Sequence, residues 1–439
     1  MKKLLTVLVA LTLVCGIVLL GCSKKEAAAP AAATSSAGGE KVIELWHIQT
    51  TEPFPTIIQG SVDRWLAKNP GYKVNISPIA NDSFKDKIAV AIRSNQAPDI
   101  FHSWSGGTME EYADNGIIVD LTPYMNDGNA KGKYLDAAIS QVTYKDKIWG
   151  VPIENVAIAL IYYNKDLFAK YGIAVPKTLP ELEAACDKLK ANGIIPFSCA
   201  NKTQWTGDMY YQYLATRYGG TAPFQAAMRG TDPAGFSAKN FVDAGAKIQD
   251  WVKKGYFNDG INSMDEDSGQ SRQLLYNEQA AMYVMGSWAT ANIQGENPDF
   301  YPKLGVFSFP GVPGAAGNPN TVVGTMGDNF YHVASASKYP KECFEIIQGM
   351  LDDTAVPERI KAGRIPPLKG IKLDGELPQQ TIAILDAAPD LQFWYDQSLN
   401  PQVTSAHLIG SQELFGLSTT PEAAAKQWAD AQKEYLSGQ

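Results

Sequence analysis

The chain is poor in the residues on which most metal sites and nucleophilic enzymes are built. Its four histidines, at positions 47, 102, 332 and 407, are scattered without the spacing of a metal site. No Gly-x-Ser-x-Gly elbow, His-Glu-x-x-His helix or phosphate-loop pattern occurs. Paired glycosidase carboxylates can lie far apart in a chain, so a secreted glycosidase stays open on pattern alone. Cationic residues are also short: 38 Lys and Arg face 46 Asp and Glu, a formal charge of −8. A body this acidic is a poor partner for nucleic acid, which needs clustered Lys and Arg. Beyond the first 20 residues no apolar run approaches spanning length, and no internal repeat is visible.

What is present begins at the start. Lys2 and Lys3 precede an almost uninterrupted apolar run from Leu4 to Leu20, which then meets Gly21-Cys22. A charged n-region, an apolar h-region and small residues form an export signal. The ending Leu19-Leu20-Gly21-Cys22 resembles the lipobox of bacterial lipoproteins, in which cleavage leaves a diacylglycerol-bearing cysteine. A plain membrane anchor is the competing reading, since the run is near the ~17-residue lower limit for spanning. The motif favours residues 1–21 as a signal peptide and Cys22 as the lipidation site.

Residues 23–40 carry Ser, Lys, Glu, Ala, Pro, Thr and Gly and no aromatic residue. Such a segment cannot offset its ordering entropy, so residues 22–40 are expected to form a lipidated tether. Loss of Lys2 and Lys3 with the signal takes the formal charge from −8 to −10. The expected location is therefore extracytoplasmic, at the outer face of a membrane or in a periplasm. Cys186, Cys199 and Cys343 remain in the body. The first two could pair in an oxidising compartment, but buried free thiols are the favoured reading.

From residue 41 onward strands alternate with helices, the pattern of an α/β fold. Val42–Trp46, Tyr72–Ser77 and Pro98–Phe101 read as strands, separated by amphipathic helices over 55–68 and 83–94. This order implies a parallel sheet with a crevice at the carboxyl ends of its strands. A second unit begins near Pro152 with an extended run over Ile153–Tyr163, and Asn192-Gly193 closes a helix over 180–189. Strands follow at 194–197, 280–285 and 304–309, with helices over 205–217, 241–254, 268–276, 341–351 and 421–436.

The segments Asn69-Pro-Gly-Tyr-Lys-Val, Ala97-Pro-Asp-Ile-Phe, Gly116-Ile-Ile-Val-Asp-Leu-Thr-Pro and Trp149-Gly-Val-Pro belong to one pattern. Tyr163-Asn-Lys-Asp-Leu-Phe, Pro176-Lys-Thr-Leu-Pro-Glu-Leu, Ala281-Met-Tyr-Val-Met-Gly-Ser-Trp and Gly305-Val-Phe-Ser-Phe-Pro-Gly continue it. In order and spacing the chain resembles family 1 extracellular solute-binding proteins, the carbohydrate receptors of ABC importers, related to maltodextrin-binding proteins. The resemblance implies a periplasmic-binding-protein-like fold of two α/β lobes with interleaved segments and a hinge. Lobe one is expected to hold 41–152 and 303–348, and lobe two 153–302 and 349–439. It further implies a monomeric receptor without cofactor or catalysis. Such a receptor captures a carbohydrate, most simply a di- or oligosaccharide, for a membrane permease. A polyol or sugar acid, and a sensory role, are the alternatives.

Sugars offer hydroxyls around the ring and apolar C–H faces, so their sites combine aromatic platforms with fixed polar groups. Trp46 and His47 leave the first strand at its carboxyl end, and Trp104 and Ser105 leave the third. Packing in the core is the competing role for Trp46, and a solvated loop for His47. Asp82 opens the second helix, where an N-cap is the plainer role. Glu154 and Asn155 follow the first crossover, where the family commonly places a polar contact. Trp205 and Asp208, three apart, put a ring and an acceptor on one helix side. Trp288, in Gly286-Ser287-Trp288, corresponds to the aromatic wall that the family presents to a sugar. Asp328 and Asn329 supply paired acceptors and a donor. Arg364 either clamps a ligand oxygen or bridges surface carboxylates. Phe393-Trp394-Tyr395-Asp396 offers a further platform beside a carboxylate.

Overall fold

A computed structural model describes residues 40–438. The expected signal peptide, Cys22 and nearly all of the expected tether lie outside the described residues. Residues 40–438 form one compact unit. It opens with strand β1 (Lys41–His47), helix Phe54–Lys68, β2 (Tyr72–Pro78), helix Asn81–Arg93 and β3 (Ile100–Ser103). Alternation drives β1: Ile43 and Leu45 are buried while the residues between them face outward or half outward. The first helix buries Ile57, Ile58, Val62 and Trp65 at helical spacing. It opens with proline in its first turn, where a missing N–H costs nothing.

A small hairpin follows, β4 (Thr143–Tyr144) with β5 (Lys147–Ile148). Then come β6 (Val151–Asn164), β7 (Ile195–Ser198), β8 (Ala280–Gly286), β9 (Leu304–Phe307), β10 (Val322–Val333) and β11 (Leu391–Phe393). The main sheet runs β2-β1-β3-β10-β6-β8-β7, with β9 on β6 and β11 on β10. The expected parallel order holds for β2, β1 and β3. Beyond them it gives way, because β10 lies antiparallel to both β3 and β6. The sheet is therefore mixed.

Two hydrophobic cores flank this sheet. The smaller contains Ile43, Val62, Phe101, Val151, Phe330 and Ile347. The larger contains Ile161, Tyr213, Trp251, Met282, Phe309 and Trp428. Each large apolar side chain so buried contributes about 1.5–3 kcal/mol against exposure, so each core supports its own half. Strands β6 and β10 run through both. Val151 and Ile153 of β6 lie in the smaller core and Ile158–Tyr162 in the larger. In β10 the direction is reversed, with Val322 and Val323 in the larger core and Phe330 to Val333 in the smaller. A third passage leads from Leu351 through helix Ala355–Lys361 and Arg364 to Leu377 of the larger core. The two cores thus draw on alternating segments of the chain. Leu304, Phe307, Phe309, Val322 and Val323 belong to the larger core, not to the half that was expected to hold 303–348. The physical reason is β9, which pairs antiparallel with the far end of β6, from Ile161 opposite Phe307 to Asn164 opposite Leu304.

Cys186, Cys199 and Cys343 are free and buried. Gly193 takes φ +75° behind its helix, the left-handed closure that Asn192-Gly193 suggests. Among the described residues no helix is long and apolar enough to cross a membrane.

Candidate functional site

A cavity lies between the two cores, walled by both and floored by the crossing segments. From the smaller half come Gln49 after β1, Lys85 on the second helix and Trp104 after β3. These positions follow the carboxyl ends of parallel strands or face them, where an α/β sheet opens. The larger half supplies a row of indoles. Trp205 and Trp288 each begin a helix, and their ring centroids are 6.1 Å apart at 58°. Trp394, just after β11, continues the row at 6.2 Å and 57° from Trp288. Gly286 makes this possible: a Cβ there would meet the Trp288 ring at 2.1 Å. The indole N–H groups of Trp205 and Trp394 are buried without a protein partner. Opposite, the Lys85 ammonium sits 5.3 Å from the Trp104 ring and 6.0 Å from that of Trp205.

The floor is a hydrogen-bonded relay. Arg364 Nη2 donates to Gln49 Oε1 at 3.0 Å, and Gln49 Nε2 donates to Asn329 Oδ1 at 2.8 Å. Asn329 Nδ2 in turn donates to Asp328 Oδ2 at 2.8 Å. The backbone is shaped for this. Register shifts interrupt the β6–β10 ladder on both sides of Asp328, and Asn329 takes φ +59°, a conformation Asn tolerates better than most residues. Burial pushes the Asp328 carboxyl up to about 6; Arg364 opposes the shift, and the like charge of Glu154 adds to it. Asp396, on the far wall, is also pushed up to about 6, by burial and then by Asp208. At the rim, Asp267 Oδ2 accepts from the backbone N–H of Asp82 at 2.9 Å, across the cleft.

The sequence candidates thus fall into two groups. Trp104, Trp205, Trp288, Asp328, Asn329 and Arg364 line one cavity. Trp46 is half-buried away from it, with the Lys87 ammonium 4.3 Å from its ring. His47 is buried; its Nδ1 accepts from the Gln49 backbone N–H at 3.1 Å, and burial pushes its pKa down to about 4. Ser105 is buried beside the cavity rather than on its wall. Glu154 is fully enclosed and paired with Arg359. Asn155 joins crossing segments, accepting from Ile365 N at 2.6 Å and donating to Ser287 Oγ at 2.9 Å. Asp208 lies one layer behind the wall. Its Oδ1 is 2.9 Å from His407 Nε2 and its Oδ2 accepts from Gln212 Nε2 at 2.6 Å. Gln212 Oε1 then accepts from Tyr395 N at 3.2 Å, which fixes the segment carrying Trp394 and Asp396.

Residues that sequence reasoning did not single out also reach the cavity, among them Gln49, Lys85, Gln212, Asp267 and Asn292. For Gln49 a signal existed, since it follows Trp46-His47 at the same strand end. Lys85 and Gln212 lie on helix faces that carried no distinguishing pattern. Among the described residues no group of three or more His, Cys, Asp and Glu is poised to hold a metal. The arrangement offers flat apolar rings beside carboxylate acceptors and amide, indole and guanidinium donors, a surface built for reversible binding.

Known proteins agree with this architecture. The chain is similar to the multiple sugar-binding protein of Streptococcus mutans, 24% identical over 396 residues covering 88% of each chain. It is also similar to the sn-glycerol-3-phosphate-binding periplasmic protein of Shigella flexneri, 27% identical over 346 residues and 74% of each. A solved structure from work on xylan utilization by the thermophilic bacterium Caldanaerobius polysaccharolyticus superposes with a TM-score of 0.83. It is 30% identical and covers 89% of this chain and 99% of that one. The model of the bacterial extracellular solute-binding proteins matches residues 49–356, and the chain belongs to that family, whose members act outside the cytoplasm.

Proposed function

We propose that the protein is the receptor of an ABC importer and captures a carbohydrate, a di- or oligosaccharide, in the cavity between its halves. The observation that carries this reading is the row Trp205–Trp288–Trp394 facing the Asp328–Asn329–Gln49–Arg364 relay. Ring C–H faces stack on indoles while hydroxyls exchange hydrogen bonds with the floor. One pyranose does not cover three indoles spaced at 6.1 and 6.2 Å, which favours more than one sugar ring. The two halves act as lobes that bend about β6, β10 and the 352–376 passage, and closure presents a liganded shape to the permease. The working form is a monomer held by a lipid on Cys22. The proteins it resembles are named as binding proteins, and binding without catalysis is the role proposed here.

A second reading has one observation in its favour, the likeness to a glycerol-phosphate receptor. Lys85 and Arg364 on the cavity wall give an anionic polyol two cations. A thermal-shift screen of residues 41–439 against mono- and oligosaccharides, with glycerol 3-phosphate included, decides between them. A ligand at about 100 times its Kd stabilises the folded state by about 2.7 kcal/mol. Response to oligosaccharides supports the carbohydrate reading; response to glycerol 3-phosphate alone, or to none of them, rejects it.

A further inference from the structure

We propose that Glu154 and Arg359, which do not reach the cavity, are positioning residues that fix where Asp328 and Arg364 present their charges on its floor. The inference rests on reading that cavity as the ligand site. Four charged side chains gather where the three crossing segments meet: Glu154 on β6, Asp328 on β10, and Arg359 and Arg364 on the third passage. All are deeply buried, with exposures of 0, 8, 0 and 5% in that order. Glu154 Oε2 accepts from Arg359 Nη1, and Arg359 Nε donates to the Met350 carbonyl at 3.1 Å. Asp328 pairs across the ladder with Asn155, one residue from Glu154. One residue past Arg364, the Ile365 carbonyl accepts from Val156 N at 2.7 Å and Ile365 N donates to Asn155 Oδ1 at 2.6 Å. The Glu154–Arg359 pair therefore clamps helix Ala355–Lys361 to β6 just before the chain delivers Arg364.

Stability alone is a poor account of this pair. Exchanging a buried ion pair for apolar side chains of similar volume is often neutral or stabilising. A pair placed behind two ligand-facing charges does something an apolar exchange cannot, because its field acts on them. Asp328 is faced by Glu154 from β6, by Arg364 from the third passage and by Asn329 on its own strand. Beyond Asp328, the ionisable neighbours of this cluster are Tyr331, which faces Glu154, Arg359 and Arg364, and His47, which faces Arg359. The negative charge of Glu154 holds Asp328 toward its protonated form, and Arg364 pulls the other way.

The test uses the full chain with Glu154→Gln and Glu154→Asp. In the ligand-free protein, carboxyl carbon NMR follows the titration of Asp328, assigned by its loss in Asp328→Asn. The expected midpoint falls below the wild-type value of about 6 in Glu154→Gln and stays in Glu154→Asp, which keeps the charge. Affinity for the sugar found in the screen gives the second readout. If only the carboxylate form binds, the wild type loses about tenfold between about pH 8 and about pH 5, and Glu154→Gln about threefold or less. Asp396 titrates in the same range but is faced by Asp208, Lys85 and His407, so its share cancels in the comparison. A Glu154→Gln protein that melts lower while keeping the wild-type midpoint and pH ratio overturns the proposal, since that is purely structural behaviour. Should Glu154→Gln fail to fold, the Glu154→Gln/Arg359→Met pair, which leaves no lone buried charge, carries the same comparison. A wild type that binds no sugar rejects the carbohydrate reading, while the NMR midpoint still decides this one.

Discussion

Gly107→Ala offers a clean probe of closure. Gly107 begins the helix Gly107–Asp114, whose Met109 lies in the smaller core. A Cβ at this position would stand 2.2 Å from the Leu399 carbonyl oxygen, 2.6 Å from its carbon and 2.9 Å from Asn400 N. Leu399 belongs to the larger core, so the collision lies between the two halves, close to Trp104 and Gln397 on the cavity wall. Moving the oxygen out to about 3 Å requires a displacement of about 0.8 Å, and overpacking of this kind costs about 1–3 kcal/mol. Gly107 does not have a positive φ, so alanine suits the local backbone. Within the helix it gains about 0.5–1 kcal/mol over glycine. The strain therefore falls on the contact between the halves and not on either half alone, and on the proposed closure it burdens the closed form. Calorimetric titration with the bound sugar is expected to show affinity reduced about 5- to 150-fold, at 1.4 kcal/mol per decade. The ligand-free melting temperature should change little. Unchanged affinity, or a large fall in ligand-free stability with affinity intact, refutes the assignment of this contact to closure.

Trp288→Ala removes the central indole of the row and should weaken sugar binding by about 2 kcal/mol or more, roughly thirtyfold, as a buried aromatic anchor does; calorimetry showing less than a threefold loss rejects the wall as the main platform. Asp328→Asn is expected to abolish most binding yet to stabilise the ligand-free protein at about pH 8. The Asp328 pKa is raised from 3.8 to about 6, so whatever stability it contributes is full below the unfolded value and is lost as pH rises through about 6. Removing the charge restores up to about 3 kcal/mol at about pH 8 and nothing near pH 3; melting curves in which the variant is less stable at high pH would show that Arg364 compensates the charge in full. Cys22→Ser in the full chain should move the protein from the membrane fraction to the soluble fraction, and persistent membrane association counts against the lipid anchor.

Where the chain obeys a simple period, its structure is legible. The β1–helix–β2 unit follows from Ile43 and Leu45 alternating and from Ile57, Ile58, Val62 and Trp65 recurring on one face. Trp288 is readable through the family resemblance, because it follows a short apolar strand across Gly286-Ser287 and begins the next helix. β10 is not readable, because Val322–Val333 contains Gly324, Gly327, Asp328 and Asn329 and is buried on both faces, so nothing alternates. The same limit decides which candidate residues meet the cavity. Strand-end reasoning singles out Trp46 and His47, and the family resemblance Glu154 and Asn155, but a strand turns successive side chains to opposite faces. Depth and face come from the paired strands and not from the chain itself. Gln49, two residues beyond the strand, lines the cavity together with Ile48, Thr50 and Thr51.

These failures coincide with the site for a physical reason. Local pattern describes segments that belong to one core, whereas the floor is built by segments that belong to two. A strand that serves two cores carries apolar residues on both faces at its ends, and at its middle the polar groups that neither core accepts. Asn155 on β6, with Asp328 and Asn329 on β10, occupies that middle. Buried polar groups are costly unless paired, so they bond to one another across the crossing, as in the Arg364–Gln49–Asn329–Asp328 relay. The relay therefore does two things with one set of bonds: it satisfies the crossing and it faces the cavity. A ligand that bonds to Asp328 or Arg364 must perturb the hydrogen bonds of the crossing segments. With the proposed bending about these segments, binding and closure are coupled, and a solute that fills the cavity without engaging that floor should occupy it without closing the protein.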